Sequence, residues 1–546
     1  MLLSWILPRW ILPLSTSPIT RGLVYGPLQA EQIQLPFGIL GFIMNLPSPT
    51  LLMSAMLHFA PNPLQVACYL LLTSGVLNPP LRCCGDFVVY SLPGTKSAIV
   101  LEGKTKIHAG QLVEFTYPGF ASVTMSLEDA YIVKAPSRQE EFRRLFQHAT
   151  KSGRVEDYLE AARQALQRGM LKEFYECCSA AYKANPNHER LQRLVQARKN
   201  IKKPLSDHTR VETQLRDATN LKNMKVATSH HYVMLHDTSD IKGGRKRQTR
   251  AEARLELLEL VYESYFMKFA FDGVLLEPPA EPMMVLLFAD EVTYLRYATM
   301  LDPKLKMASG FWSPNDNISV FFDQGTTEEM KILTEVAKSL QKTKTQLRGT
   351  VVSKDIAHLA NSFDLLIKIA KEESDTEVVS HEATHQLAGN TGLMPRGKLG
   401  LTWAHEGLAS YFETPAGAGW GGVGAVNATR LRSYRRVARD SERASLELLV
   451  SDMLFDVARG QAEVVDAYGN AWALTHFLME NHFEKLVDYY RRCSEVEEDA
   501  DGKILRSTLV DIFKEVFGDM RLLERDFHGY MATLKPDIER MRDAMR

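Results

Sequence analysis

The chain has 546 residues, 45% hydrophobic and 24% charged, a composition that excludes a disordered, collagen-like or disulfide-scaffold protein. Lys and Arg total 65 against 66 for Asp and Glu, so the net charge of −1 offers no whole-chain attraction to nucleic acid, and no nucleic-acid partner is expected. The six cysteines include no C-x-x-C pair, which argues against a cysteine zinc site or a thioredoxin-type motif.

Residues 1–82 stand apart. They hold no Lys and no Asp, and their only charges are Arg9, Arg21, Glu31 and Arg82. Within them Leu64–Leu77 is uncharged and shorter than the about 20 apolar residues of a membrane span, which suits a signal-peptide core. Export, or a membrane tether through this segment, is the expectation. The alternatives are a buried apolar stretch or a true start at Met53 or Met56.

Residues 83–135 contain five β-prone runs, FVVYSL, SAIVLE, QLVEFTY, SVTMSL and AYIVKA, separated by turn residues. They predict a small β-barrel or sandwich. Residues 136–225 turn helical, with Leu159, Ala162 and Leu166 on one face and Phe174, Cys178 and Ala181 on another. The stretch FYECCSAAYKANPNHERL has tetratricopeptide-like spacing, and the hairpins read as a spacer rather than a peptide groove. Residues 201–225 read as a polar linker.

From 226 to 546 the pattern is α+β. HHYVMLH reads as a strand, Glu252–Phe271 as a long helix, and Met283–Phe288 and Ile318–Phe322 as buried strands, followed by helices beyond 328. The basic run Lys242–Arg250 and the acidic run Glu495–Asp501 read as solvated loops. The glycine-rich Gly417–Gly424 has no strand before it, so it reads as a flexible loop beside a site rather than a phosphate cradle.

The chemistry concentrates between Ser374 and Glu413. Ser374-Asp-Thr-Glu377 has the spacing of a capping box and predicts a helix start there. His381 and His385, four apart, share one helical face and can hold one tetrahedral metal ion, while Glu382 points about 100° away and can serve as a base. A third ligand is expected from Trp403-Ala-His-Glu-Gly-Leu-Ala-Ser-Tyr-Phe-Glu413, with Glu406 the candidate and His405 its competitor. Thr402 is expected to cap that second helix, Pro415 to end it, and Gly407 to permit close helix–helix approach.

HEATH followed by W-x-x-E-G-x-A-x-Y-x-E resembles the gluzincin zinc metallopeptidases, including their aminopeptidase branch. Tyr468-Gly-Asn-Ala-Trp472-Ala-Leu-Thr-His-Phe-Leu478 extends the likeness to an uncharacterised bacterial family of gluzincin-like proteins. The resemblance spans roughly residues 226–535. It implies a mixed sheet, an HExxH helix and a C-terminal helical lobe. It also implies zinc held by His381, His385 and Glu406, Glu382 as general base, and Tyr468 donating to the oxyanion. Should Tyr468 be a core residue, His476 is the next candidate for that donor. The substrate would be a peptide or protein cleaved internally, because the G-A-M-E-N-type strand of the aminopeptidases is absent. Ser410 stands where thermolysin-like enzymes have Asp, which leaves Glu413 and Asp452 as candidates to orient the histidines. Ile318–Phe322 is the expected edge strand for an extended peptide. The competing reading is a non-catalytic binding or scaffold protein that keeps the fold, against which the intact Glu382 argues.

Overall fold

The structure, a computed structural model, describes residues 85–544 apart from 92–97, 109–111, 118–121, 128–129, 244–246, 347–348, 350–352, 395, 397–400, 415–419 and 498–504. The expected signal or tether in residues 1–82 lies outside them. The architecture is α+β.

The five N-terminal runs form β1 (Gly85–Ser91), β2 (Ala98–His108), β3 (Leu112–Thr116), β4 (Ser122–Ser126) and β5 (Ala130–Ala135). They make a single antiparallel sheet in the order β4-β3-β2-β1-β5, not the expected barrel or sandwich. Alternation along β1 makes both of its faces apolar, and helices rather than a second sheet cover them. Val88, Leu101 and Phe115 pack with Leu365, Leu366 and Ile369, whereas Phe87, Val89 and Val133 pack with Met541.

Four helices follow, α1 (Arg138–Ser152), α2 (Val155–Gln167), α3 (Leu171–Ala184) and α4 (Glu189–Ile201). On α3 the buried residues are Phe174, Cys177 and Ala181, and Cys178 packs partly buried against the same core. The expected linker instead contains α5 (His208–Thr219), because Val211, Leu215 and Thr219 recur every fourth residue and bury one stripe. Asp207 caps it by accepting from the Thr209 N–H at 2.9 Å.

The second sheet comprises β6 (Lys225–Thr228), β7 (Tyr232–His236), β8 (Met283–Phe288), β9 (Phe311–Ser313) and β10 (Ile318–Phe322). Between them run α6 (Arg250–Asp272), linking β7 to β8, and α7 (Glu291–Leu301), linking β8 to β9. The order is β6-β7-β8-β10-β9, parallel through the three central strands and antiparallel at both edges. Ile318–Phe322 is therefore an interior strand, consistent with burial of all five residues, and the edge is the shorter β9. The helical hairpins are not free-standing. Arg193 Nε donates to Ala270 O at 2.8 Å, and His231 bridges Ile201 O and Glu259 across the α4–α6 seam.

The remainder is helical: α8 (Glu328–Gln346), α9 (Ser353–Asn390), α10 (Thr402–Phe412), α11 (Ala428–Val437), α12 (Leu446–Val450), α13 (Met453–Val457), α14 (Gln461–Asn481), α15 (Phe483–Glu495), α16 (Arg506–Phe517), α17 (Met520–Thr533) and α18 (Asp537–Ala544). No helix starts at Ser374, since α9 runs unbroken through it for 38 residues. The sequence from Ser353 has no Gly or Pro before Gly389, and the Asp375 carboxylate is committed elsewhere. It accepts from Arg250, Arg254 and the Gln324 N–H. Arg250, read as part of a solvated basic run, thus belongs to a buried ion cluster with Glu372, Asp375 and Asp323. Among the described residues no helix is long and apolar enough to cross a membrane.

Candidate metal centre

The last turns of α9 lie under β10 and the edge strand β9. Gln386 fixes this docking: its amide donates to Met284 O at 3.1 Å and Asn317 O at 2.9 Å, and its oxygen accepts from Ser319 at 3.0 Å. Gly389 leaves room for the Trp312 ring, since a Cβ there would sit 2.5 Å from Trp312 Cη2. His381 and His385 thereby face α10, not the sheet.

Helix α10 is held close to α14 at Gly407, where a Cβ would come within 2.1 Å of Thr475 Oγ1 and 2.6 Å of Ala471 O. Thr402 does not cap α10. Asp452, in the left-handed region at φ 60°, supplies the cap by accepting from Thr402 N–H at 2.6 Å and Trp403 N–H at 2.9 Å. Burial raises the Asp452 carboxyl to about 6, against these backbone donors. Pro415, the expected terminator, lies outside the described residues; α10 ends at Phe412.

The two helices bring three ligand atoms together. His381 Nε2 lies 3.0 Å from Glu406 Oε2 and 3.1 Å from His385 Nε2, and His385 Nε2 lies 3.6 Å from Glu406 Oε2. Ligand atoms of His381, His385 and Glu406 all fall within 4.8 Å of one another, and His381 and Glu406 are buried. His405, the competitor, is half-buried and outside this group, its ring 6.3 Å from that of His385. Burial and the neighbouring His385 depress its imidazole to about 4.

The donor set suits a cation. Burial opposes charge on His381, yet Glu406 and Glu413 outweigh it and raise the imidazole to about 10. Burial likewise opposes the Glu406 carboxylate, but His385 and His381 hold it well below the usual range. Two imidazole nitrogens and one carboxylate oxygen converge here, a donor set that could hold a metal ion.

Glu382 lies beside this group, 7% exposed. Its carboxylate accepts from the Trp312 backbone N–H on β9, and burial raises its pKa against the pull of His381 and His385. Tyr468 is also brought to the site, its ring 6.4 Å from that of His381 and 5.6 Å from Phe455. His476 is not. It is a core residue whose Nε2–H donates to Gly424 O at 3.1 Å and whose Nδ1 accepts from the Tyr530 hydroxyl at 3.0 Å.

Of the two candidate orienting carboxylates, Glu413 touches a histidine and Asp452 does not. His381 Nδ1–H donates to Glu413 Oε2 at 2.8 Å, which leaves Nε2 for the ligand triangle. Glu413 in turn accepts from Asn427 at 2.9 Å and Arg430 Nε at 2.8 Å. The sequence reading missed Asn427, Arg430 and Trp312. Asn427 carries an N-cap signal before a helix-forming run, but nothing local ties it to Glu413.

The glycine-rich segment is neither a phosphate loop nor a flexible flap where it is described. Trp420 and Val423 are buried, Val423 N–H donates to Leu166 O at 3.3 Å, and Gly424 takes φ 69° against the Tyr411 ring. It cements α2 to α10.

A family model described as a protein of unknown function (DUF1570) matches residues 375–498, a stretch that includes His381, Glu382, His385, Glu406, Glu413, Arg430 and Tyr468. No curated protein and no solved structure matches the chain.

Proposed function

We propose that the chain is a zinc-dependent peptide hydrolase of gluzincin type, cleaving peptide or protein substrates internally. The observation that carries the reading is the convergence of His381, His385 and Glu406 within 4.8 Å beside the buried carboxyl of Glu382. When bound, zinc would polarise the scissile carbonyl and acidify the attacking water. The rest falls to the chain's own side chains. Glu382, with proton affinity raised by burial, takes the proton from the attacking water and returns it to the leaving amine. Tyr468, whose ring lies 6.4 Å from that of His381, donates to the developing oxyanion. The peptide lies along β9, an edge strand of the sheet, whose Trp312 N–H already reaches Glu382.

Glu382→Gln tests this in the full chain with unfolded casein as substrate. The amide is nearly isosteric and Glu382 lies outside the ligand group, so zinc should stay bound while hydrolysis disappears. Wild-type hydrolysis by Glu382→Gln would refute the mechanism. Zinc bound without turnover in the wild type, on casein and on a peptide library, would favour the scaffold reading instead.

A further inference from the structure

We infer that Arg430 is a positioning residue that sets, through one guanidinium, both the metal-facing orientation of His381 and the placement of Tyr468. This rests on the hydrolase reading above and extends it to a residue outside the motifs. Arg430 is 3% exposed and Glu413 fully buried. The guanidinium grips Glu413 as a fork, Nε to Oε1 at 2.8 Å and Nη2 to Oε2 at 3.3 Å. Asn427 adds a third donor at 2.9 Å to Oε1. With both oxygens occupied the carboxylate cannot rotate, and the oxygen it presents to His381 Nδ1–H, at 2.8 Å, keeps one direction. The imidazole plane is set in turn, and with it the line along which Nε2 faces His385 and Glu406.

The same guanidinium lies over the Tyr468 ring, 5.1 Å from Cζ to centroid. The backbone around it is rigid for identifiable reasons. Asn427 Oδ1 caps α11 by accepting from Thr429 N–H and Arg430 N–H, both at 3.1 Å. Gly469, next to Tyr468, brings α14 so near α11 that a Cβ would lie 2.5 Å from Ser433 Cβ and 3.0 Å from Arg430 O. Lysine could keep the charge but offers neither the planar fork nor the stacking face.

The test uses full-length Arg430→Lys, with zinc affinity measured by chelator competition and ligand geometry by the visible spectrum of the cobalt-substituted protein. Arg436→Lys is the control, because Arg436 lies on the same helix but pairs with Asp466. Arg430→Lys should weaken zinc about 10-fold or more, shift the cobalt bands, and lower kcat with little change in KM. Arg436→Lys should leave affinity and spectrum at wild-type values. Should Arg430→Lys fail to fold, Asn427→Ser keeps an N-cap while deleting one Glu413 donor, and it should still weaken zinc several-fold. Wild-type zinc affinity and cobalt bands in Arg430→Lys, or in Asn427→Ser as its substitute, would overturn the inference and leave the hydrolase reading standing. A wild-type protein that binds no zinc would overturn both.

Discussion

Gly407→Ala probes the packing that delivers Glu406. The new methyl would sit 2.1 Å from Thr475 Oγ1 and 2.6 Å from the Ala471 carbonyl oxygen, where ordinary contact begins at 3.4 Å. The hydroxyl can rotate away, but the carbonyl belongs to the backbone of α14, so α10 must retreat by about 1 Å. Overpacking of this kind costs about 1–3 kcal/mol, and a clash with backbone belongs at the upper end. Glu406 is the adjacent residue and moves with the helix, and a shift of about 1 Å is enough to spoil a preorganised site. Calorimetry of the metal-free protein should show Tm lowered by about 3 °C, and chelator competition should show weaker zinc binding. Adding Thr475→Ala should restore only part of the loss, since the Ala471 carbonyl remains. Wild-type melting of Gly407→Ala, or complete rescue by Thr475→Ala, would refute the argument.

Tyr468→Phe should retain zinc and fold while kcat falls by about 10²–10³ and KM changes little, as expected for a donor engaged in the transition state; unchanged kcat would make Tyr468 a packing residue alone. Asp452 predicts a pH dependence. Its folded carboxyl is raised by burial to about 6 from 3.8, so its contribution is fully present below the lower value and lost as pH rises through the upper one. Denaturant titrations should therefore show wild type losing stability relative to Asp452→Asn between about pH 4 and 7, by up to about 3 kcal/mol. A pH-independent difference would contradict this. Asp452→Ala, which removes the α10 cap altogether, should cost about 1–2 kcal/mol at pH 5 by the same measurement.

The convergence of the candidate site's side chains was legible where it is carried by local spacing. His381 and His385 must share a face on any helix, and Gly407 signalled close packing that the α10–α14 contact bears out. The strands Met283–Phe288 and Ile318–Phe322 matched their runs, since continuous apolar stretches of that length have few alternatives. Legibility ended where long-range pairing decides. A capping-box spacing at Ser374 could not reveal that Asp375 would face Arg250 and Arg254 and let α9 continue. Burial of Ile318–Phe322 was read correctly, yet its position inside the sheet depends on the short β9, whose three residues carry no periodic signal. The Thr402 cap failed for a related reason: the carboxylate that satisfies α10 comes from Asp452, fifty positions downstream. Arg430 was invisible because an arginine in a basic helix reads as solvated until its partner Glu413 is known.

The most direct measurement is the metal content of the full-length protein purified without chelator, by elemental analysis, beside His385→Ala and Glu406→Ala. The wild type should carry about one zinc per chain, as the proposed centre predicts, and each variant should lose it while its metal-free form still melts cooperatively. A wild type with no zinc, or full zinc occupancy in both variants, would contradict the assignment of His381, His385 and Glu406 as a metal centre.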